Sequence, residues 1–433
     1  MPGKHYFIDP IHGKIEIPPW LFRIQDQPAI RRMMGIKQLG LKAYIDFPGA
    51  IHNRYTHCLG VMHLAGKLSD LLIKRYHSSS VEDQGLEENL KNNRNCLMAA
   101  GFFHDIGHGP FSHVMDYVLR SRLNIDHEII TTKVVDLYQK ELEGDSIPSR
   151  QVKKIITKKH QYPFLSSVIN GPLDVDKADY ILRDSYHVGL KYGFDLEHFF
   201  DRIVILGDKC DLKKCELGLE DSNEALAGAE LFLLLWKSMY TIVYLVDSSR
   251  RAEKMLEKAI LVALDNNSII KDDLIDFNKY VDLDEPTLLS KLRAEKGFSE
   301  SICDRIIKTA ELYETACVLD MERFETNDKF LKQLRKSEDE VSDRISRELS
   351  KLEYEPYSII CDIIRSKSPK EIYLDKTDRY GEPIEIKEKS PTIKALSCSE
   401  LVLKVYLESK NRIKKLKTEK KLKSEIQHVI DGW

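Results

Sequence analysis

The stretch "NCLMAAGFFHDIGHGPFSH", residues 95–113, sets three histidines and an aspartate at the end of an apolar helical pattern, then breaks that pattern with glycine and proline. Leu97, Ala100, Gly101 and His104 share one helix face, so His104 falls at the buried end of an apolar helix, with Asp105 directly after it. Gly107, Gly109 and Pro110 end the helix, and "SHVMDYVL" begins another with Ser112 as its expected N-cap. The loop between them turns His108 and His113 into the same space. Titratable groups this dense among apolar neighbours are costly to bury unless a metal or a partner satisfies them.

His104 and Asp105 cannot close a metal site alone, because neighbours on a helix point about 100° apart. One further candidate is His57 in "HNRYTHCLGVMHLAG", on a helix whose apolar face includes Gly60, Val61, Leu64 and Leu68. Another is Asp176 in "DVDKADYILRDSYHVG", again on a helical pattern. Taken singly, a helix histidine is more often a satisfied core or surface group than a ligand. Together, two imidazoles and two carboxylates suit Mn, Fe, Zn or Mg better than a thiolate-selected metal. Such a cation polarises a phosphoryl oxygen and acidifies bound water, the two needs of phosphate ester hydrolysis.

Working outward, apolar spacing near 3.6 recurs at Leu59, Met62, Leu64, Leu68, Leu71 and Leu72, and again in "RRAEKMLEKAILVAL". The chain is therefore expected to be mainly α, with a helical core and a smaller α+β C-terminal region. Residues 1–321 are expected to form the core, with the metal site within 50–190. Residues 322–433 are expected to hold a charged helical segment, then a small module with a basic tail. "HSSSVEDQGLEENLKNN" (77–93) and "LDNNSIIKDD" (264–273) read as loops or short connections. The charged run 322–355 reads as exposed helices, and "YSIICDII" and "LVLKVYL" read as strands.

Hydrophobic residues make up 42% and charged residues 31% of 433, which excludes a wholly disordered or fibrous chain. The eight cysteines lie scattered without a CxxC pair, as expected in a reducing cytoplasm. The N-terminus lacks the apolar core of a secretory leader. "AELFLLLWKSMYTIVYLV" is interrupted by Lys237 and Ser238 and reads as a buried helix, so no membrane contact is expected. A net charge of −3 means that any grip on phosphates must be local. From Lys410 to Lys423 eight basic residues face one glutamate, either a solvated helix face or a weak nucleic-acid contact.

The pattern His57, His104-Asp105, Asp176 resembles the HD-domain phosphohydrolase superfamily. "DPIHGKIEIP", "RIQDQPAIRRMMGIKQLG", "FPGAIHNRYTHCLGVMHLAG", "HDIGHGPFSH", "DHE" and "DVDKADYILRDSYHVGL" follow in the order of its dNTP triphosphohydrolase branch. The resemblance covers roughly residues 5–260. It implies a helical, homodimeric or homotetrameric enzyme that needs a divalent metal and cleaves deoxynucleoside triphosphates into deoxynucleoside and tripolyphosphate. By motif position it implies that Arg54 and His113 hold phosphate oxygens and that Lys177 adds positive charge beside Asp176. Gln38, Tyr180 and Asp184 would bind the deoxyribose, and Tyr244 would face the base. His127, with Asp116 and His108, resembles the family's catalytic group, a histidine oriented by a carboxylate to move a proton.

Two departures bear on the substrate. Relatives activated by guanine nucleotides carry a glutamine and an arginine where this chain has Arg31 and Met34, although Asp26 is kept. A different nucleotide activator, or none, follows. Thr241, Val246 and Asp247 replace the basic residues and histidine usual around the Val-Tyr step, which leaves Lys237 as the nearby cation. A different triphosphate, a shorter phosphate chain or a single-stranded nucleic-acid end are alternatives, as is a sensing module that binds nucleotide without turnover.

Overall fold

The computed structural model describes residues 5–77, 81–266, 269–321, 328–351, 358–377, 383–397, 400–408 and 415–432. It is mainly helical, with three small sheets. The central pair of helices is Arg54–Arg75 and Val81–Phe103. Asn53 starts the first by accepting from the Thr56 N–H at 3.1 Å. The two helices cross closely where Gly101 meets the backbone of Val61 and Met62, and a Cβ there would lie 3.0 Å from the Val61 oxygen. Cys58, Leu59, Val61, Met62, Leu64, Leu68, Leu97, Ala99 and Ala100 are all buried around this crossing.

The second helix corrects the loop reading of 77–93, because residues 81–93 are helical. Leu86 and Leu90, one turn apart, are fully buried and anchor its first half. Asn89 and Asn93 donate to the carbonyls of Gly85 (3.2 Å) and Asn89 (2.9 Å) instead of breaking the helix. In 264–273, the helices Asp247–Asp265 and Ile269–Ile275 take up the described residues on either side of 267–268, again more helix than expected.

Strands β1 (His5–Asp9) and β2 (Gly13–Ile17) form an N-terminal hairpin. β3 (Ile203–Leu206) and β4 (Glu216–Leu219) pair antiparallel and then receive β7 (Tyr373–Thr377), which runs parallel to β4 with Leu374 opposite Leu219. β8 (Pro383–Glu385) closes that sheet. The third sheet, in the order β5 (Glu314–Asp320), β9 (Leu401–Leu407), β6 (Ile359–Arg365), contains both strands expected from "YSIICDII" and "LVLKVYL".

This third sheet seats a second hydrophobic core. Phe330, Leu334, Val341, Ile345 and Leu349 from the charged 322–355 run are buried in it. Those helices therefore cover the sheet rather than stand exposed: sparse apolar residues at helical spacing are enough to seat one face. The second core also takes in Cys317, Leu319 and Met321, while Ile372, Leu374, Ile386 and Ile393 join the first core. The two cores thus interleave along the chain instead of dividing at residue 321. The side chains of the basic run before Leu422 lie outside the described residues; beyond them, the helix Lys415–Asp431 buries Leu422, Ile426 and Ile430.

Helix Asn223–Met239 continues through a π-helical turn, Tyr240–Tyr244. By length and composition this is one helix long and apolar enough to cross a membrane. It is only half the buried helix expected, since Phe232, Leu233, Trp236 and Met239 are buried while Leu231, Leu234 and Ile242 are exposed.

Candidate metal and nucleotide site

His57, fully buried, and His104, at the end of its helix, turn their Nε2 atoms toward Asp176. The distances to Asp176 Oδ1 are 3.1 and 3.5 Å, and neither contact is a hydrogen bond. Both Nε2 atoms are thus buried and orphaned, which apolar burial alone would penalise. Two converging imidazole nitrogens and a carboxylate, all within 4.8 Å of one another, fit a divalent cation. Asp105 stands beside them, with Oδ2 3.7 Å from His57 Nε2 and Oδ1 3.5 Å from His104 Nε2. It is shared, because it also pairs with Arg54 and reaches His108 Nε2 at 3.5 Å.

The electrostatics follow this packing. Burial opposes charge on His57, yet the facing carboxylates of Asp176 and Asp179 hold a proton on it up to about 10. Burial would raise the carboxyls of Asp176 and Asp105, but the neighbouring histidines, and for Asp105 also Arg54, hold both well below the usual carboxylate range.

Behind His57 lies a chain of contacts that the sequence pattern did not single out. His57 Nδ1 is 2.7 Å from Asp179 Oδ2, which leaves Nε2 facing the site. Asp179 also binds His12 Nε2 (2.6 Å) and accepts from Arg183 Nε (2.8 Å), and Arg183 in turn donates to Asp9 at 2.7 Å. Gly60, one turn after His57, makes room for this carboxylate, since a Cβ there would sit 1.8 Å from Asp179 Oδ1. The only local signal was spacing: Asp176, Asp179 and Arg183 recur at three and four residues on one helix.

The loop after His104 is fixed from outside. Arg32 donates to the carbonyls of Ile106 (2.7 Å) and His108 (3.0 Å), and Tyr280 donates to that of Gly107 (3.0 Å). Gly107 presses against the start of helix His127–Leu137, where a Cβ would come within 2.0 Å of the His127 oxygen. Phe111 and Ser112 take φ of 57° and 47°, a left-handed kink unusual for side-chain-bearing residues. Ser112 does stand at the N-cap of helix His113–Leu123, but its hydroxyl accepts from Arg54 Nε at 2.7 Å instead of capping.

The expected catalytic trio is brought together. Asp116 Oδ1 takes both the His127 backbone N–H and Nδ1 at 3.0 Å, and the His127 ring stacks on His108 at 4.0 Å. Burial would raise Asp116, but the hydrogen bond from His127 holds its carboxyl well below the usual range. Burial, then the charge of Arg54, keeps His108 neutral well below the ordinary histidine value. His113, at 6.1 Å from His108, is pushed down to about 3 by burial and by Arg54 and Lys42.

A second wall rises from helix Val175–Val188, which Asp174 caps by accepting from the Lys177 N–H at 2.7 Å. Asp176, Tyr180 and Asp184 recur every four residues and so share one helix face. Asp184 accepts from the Tyr244 hydroxyl at 2.7 Å and binds His52 Nε2 at 2.7 Å. The Tyr180 hydroxyl accepts from Trp236 Nε1 at 3.0 Å, and its ring meets Tyr244 edge-on at 5.9 Å. Gln38 reaches this wall through its N–H to the His52 carbonyl (3.0 Å), and its buried Oε1 is unpaired. Lys177 is the expected cation least directed inward: its ammonium binds Asp174 and the Gly171 carbonyl. Apart from the site, Asp26 and Arg31 pair at 3.6 Å beside a cavity lined by His5, Tyr6, Phe22 and Tyr55, with Met34 exposed.

Comparison with known proteins gives the setting. The HD domain model matches residues 54–184, and the HD associated region model matches residues 208–422. Deoxynucleoside triphosphate triphosphohydrolase SAMHD1 from Mus musculus is 34% identical over 227 residues, 45% of this chain and 33% of that protein. The SAMHD1 homolog from Dictyostelium discoideum is 29% identical over 312 residues, 69% of this chain and 57% of its own. The matched part thus spans between a third and somewhat over half of these relatives. A crystal structure of a hypothetical protein from Aquifex aeolicus shares the fold, with a TM-score of 0.68 and 22% identity over 98% of this chain and all of that one. The first matched region opens at Arg54, closes at Asp184 and encloses the whole His–Asp set, so this chain carries an HD domain with the HD associated region downstream of it.

Proposed function

We propose that the protein hydrolyses deoxynucleoside triphosphates to deoxynucleoside and tripolyphosphate. One observation carries this reading: a single helix face presents the ligand Asp176, then Tyr180, then Asp184 with Tyr244 bonded to it. Steps of about 6 Å along a helix set a sugar-sized wall beside the phosphate site. A carboxylate and a phenol there can hold a 3′-hydroxyl, and the Tyr180 ring leaves little room for a 2′-hydroxyl. The similarity to SAMHD1 proteins, which are named deoxynucleoside triphosphate triphosphohydrolases, points the same way.

His57, His104, Asp105 and Asp176 would hold a divalent cation, Mn, Mg, Fe or Zn, which when bound polarises a phosphoryl oxygen and acidifies water. The remaining steps belong to the chain. Arg54, paired with Asp105, and the neutral His113 bind oxygens of the α-phosphate. Asp116 fixes Nδ1 of His127, so that Nε2 can give a proton to the leaving 5′-oxygen as water adds to the α-phosphorus. The O5′–P bond breaks, the deoxynucleoside keeps the proton from His127, the proton shed by the added water restores that imidazole, and tripolyphosphate remains.

The test is a product assay with each dNTP and NTP, alone and mixed, in Mn or Mg, with products separated by chromatography. Deoxynucleoside and tripolyphosphate are expected from dNTPs, with none from His104→Ala or Asp105→Ala. Release of orthophosphate or pyrophosphate, or equal cleavage of NTPs, would overturn the reading. Turnover only in mixtures would identify a nucleotide activator, for which the cavity beside Asp26 and Arg31 is the proposed seat.

A further inference from the structure

The sugar wall and the metal set serve one end of a nucleoside triphosphate, and the polyphosphate end needs cations of its own. Thr241, Val246 and Asp247 supply none, and Lys237 donates to the carbonyl of Lys367 at 3.1 Å. That contact docks a segment from far along the chain.

Residues 366–370 leave β6 and are fastened on several sides. The Ser366 N–H donates to the Glu400 carbonyl (2.9 Å), and its hydroxyl accepts from the Glu400 N–H (2.8 Å). Ser368 Oγ donates to the Ser397 carbonyl at 2.9 Å. Lys370 Nζ donates to the Asn170 carbonyl at 3.0 Å, next to the Gly171 carbonyl that Lys177 holds at 3.0 Å. At the other end, Lys367 Nζ lies over the Tyr240 ring at 5.3 Å, and that ring packs on Trp236 and on Tyr244. The segment therefore reaches from the Tyr244 side of the site to the Asp176 side.

We propose that residues 366–370 form a strap over the site and that Lys367 and Lys370 bind the terminal phosphates of the nucleoside triphosphate. The role rests on the dNTP reading above for its natural ligand. Both lysines are exposed, and neither forms an ion pair among the described residues. Burial of part of its stem and the charge of Lys177 lower the Lys370 ammonium from its ordinary value, as expected of a cation set beside other cations. Lys367 is also among the charges that hold His113 neutral, which puts it within electrostatic reach of the phosphate-facing histidine. The strap thus supplies the cations that the Tyr240–Tyr244 turn lacks, and it does so from the C-terminal sheet.

The experiment titrates inorganic tripolyphosphate and orthophosphate calorimetrically into the Mn-loaded full chain, as wild type, Lys367→Ala, Lys370→Ala, the double variant and the two Lys→Arg variants. The double alanine variant is expected to weaken tripolyphosphate about tenfold, as loss of charge-assisted contacts implies, and orthophosphate less than about twofold. Arginine is expected to restore binding. In turnover, KM for dNTP should rise with kcat little changed. Unchanged tripolyphosphate affinity in the double variant, an equal loss for orthophosphate, or no tripolyphosphate binding by wild type would overturn the strap's role. Lysine-dependent tripolyphosphate binding by a wild type that turns over no dNTP would sink the dNTP reading while the strap stands.

Discussion

Asp179 stands behind His57 and determines which nitrogen of that ring faces the site. A carboxylate in that position orients a ligand imidazole and raises its basicity. Asp179→Asn keeps the size but gives His57 and Arg183 a neutral partner, so Mn affinity should fall about 10- to 100-fold while the helical circular dichroism is retained. Equilibrium dialysis against Mn checks it, and unchanged affinity would remove Asp179 from the metal site. This is also where legibility in the sequence divides. His104, Asp105 and His108 could be read locally, because the glycines that shape their loop are adjacent. Asp9, His12 and His52 could not, because each acquires its partner only when distant segments meet, and the helical pair Asp179–Arg183 gains its contacts to His57 and Asp9 only then.

At the scale of elements, two helix contacts govern the geometry. Gly60 exists for Asp179, and Gly60→Ala would place a methyl 1.8 Å from its carboxylate. Overpacking of this kind costs about 1–3 kcal/mol, and it should lower both the melting temperature and the metal content. The second contact joins the two cores: Arg250, on helix Asp247–Asp265, clamps Asp362 of β6 through Nη2 (2.6 Å) and Nε (3.1 Å). Asp362 is 1% exposed, so Arg250→Ala strands its carboxylate and should cost about 3–5 kcal/mol, read by urea denaturation. Equal denaturation midpoints would show that the pair is dispensable. The helix at 81–93 went unread because polar residues dominate it, and two leucines one turn apart carry its burial. The strands β6 and β9 were legible because β-branched runs between polar stretches leave few other folds.

For the whole molecule, half-buried neutral histidines contribute to the acid limit. Burial, then His12 and Lys67, push His63 down to about 4, and Asp9 and Asp179 only partly offset this. Burial, then His52 and Arg183, push His187 to about 4 against Asp184 and Asp9. In the unfolded chain both titrate near about 6.5, so the unfolded state binds more protons between those values. Stability is therefore complete above about pH 6.5 and drains as pH falls toward about 4. Thermal melts at pH 7.5 and 5 should differ, and the difference should shrink in a His63→Gln, His187→Gln double variant. An equal drop in that variant would assign acid sensitivity to other groups.

The parallel pairing of Leu374 with Leu219 has a consequence for synthesis. On the ribosome, β3 and β4 emerge long before β7, so the nascent protein carries a bare strand edge with unpaired N–H and C=O groups. Until residue 374 has been made, that edge can pair with any other extended chain, and a chaperone that shields it during translation would guard the step at which this protein is most open to aggregation.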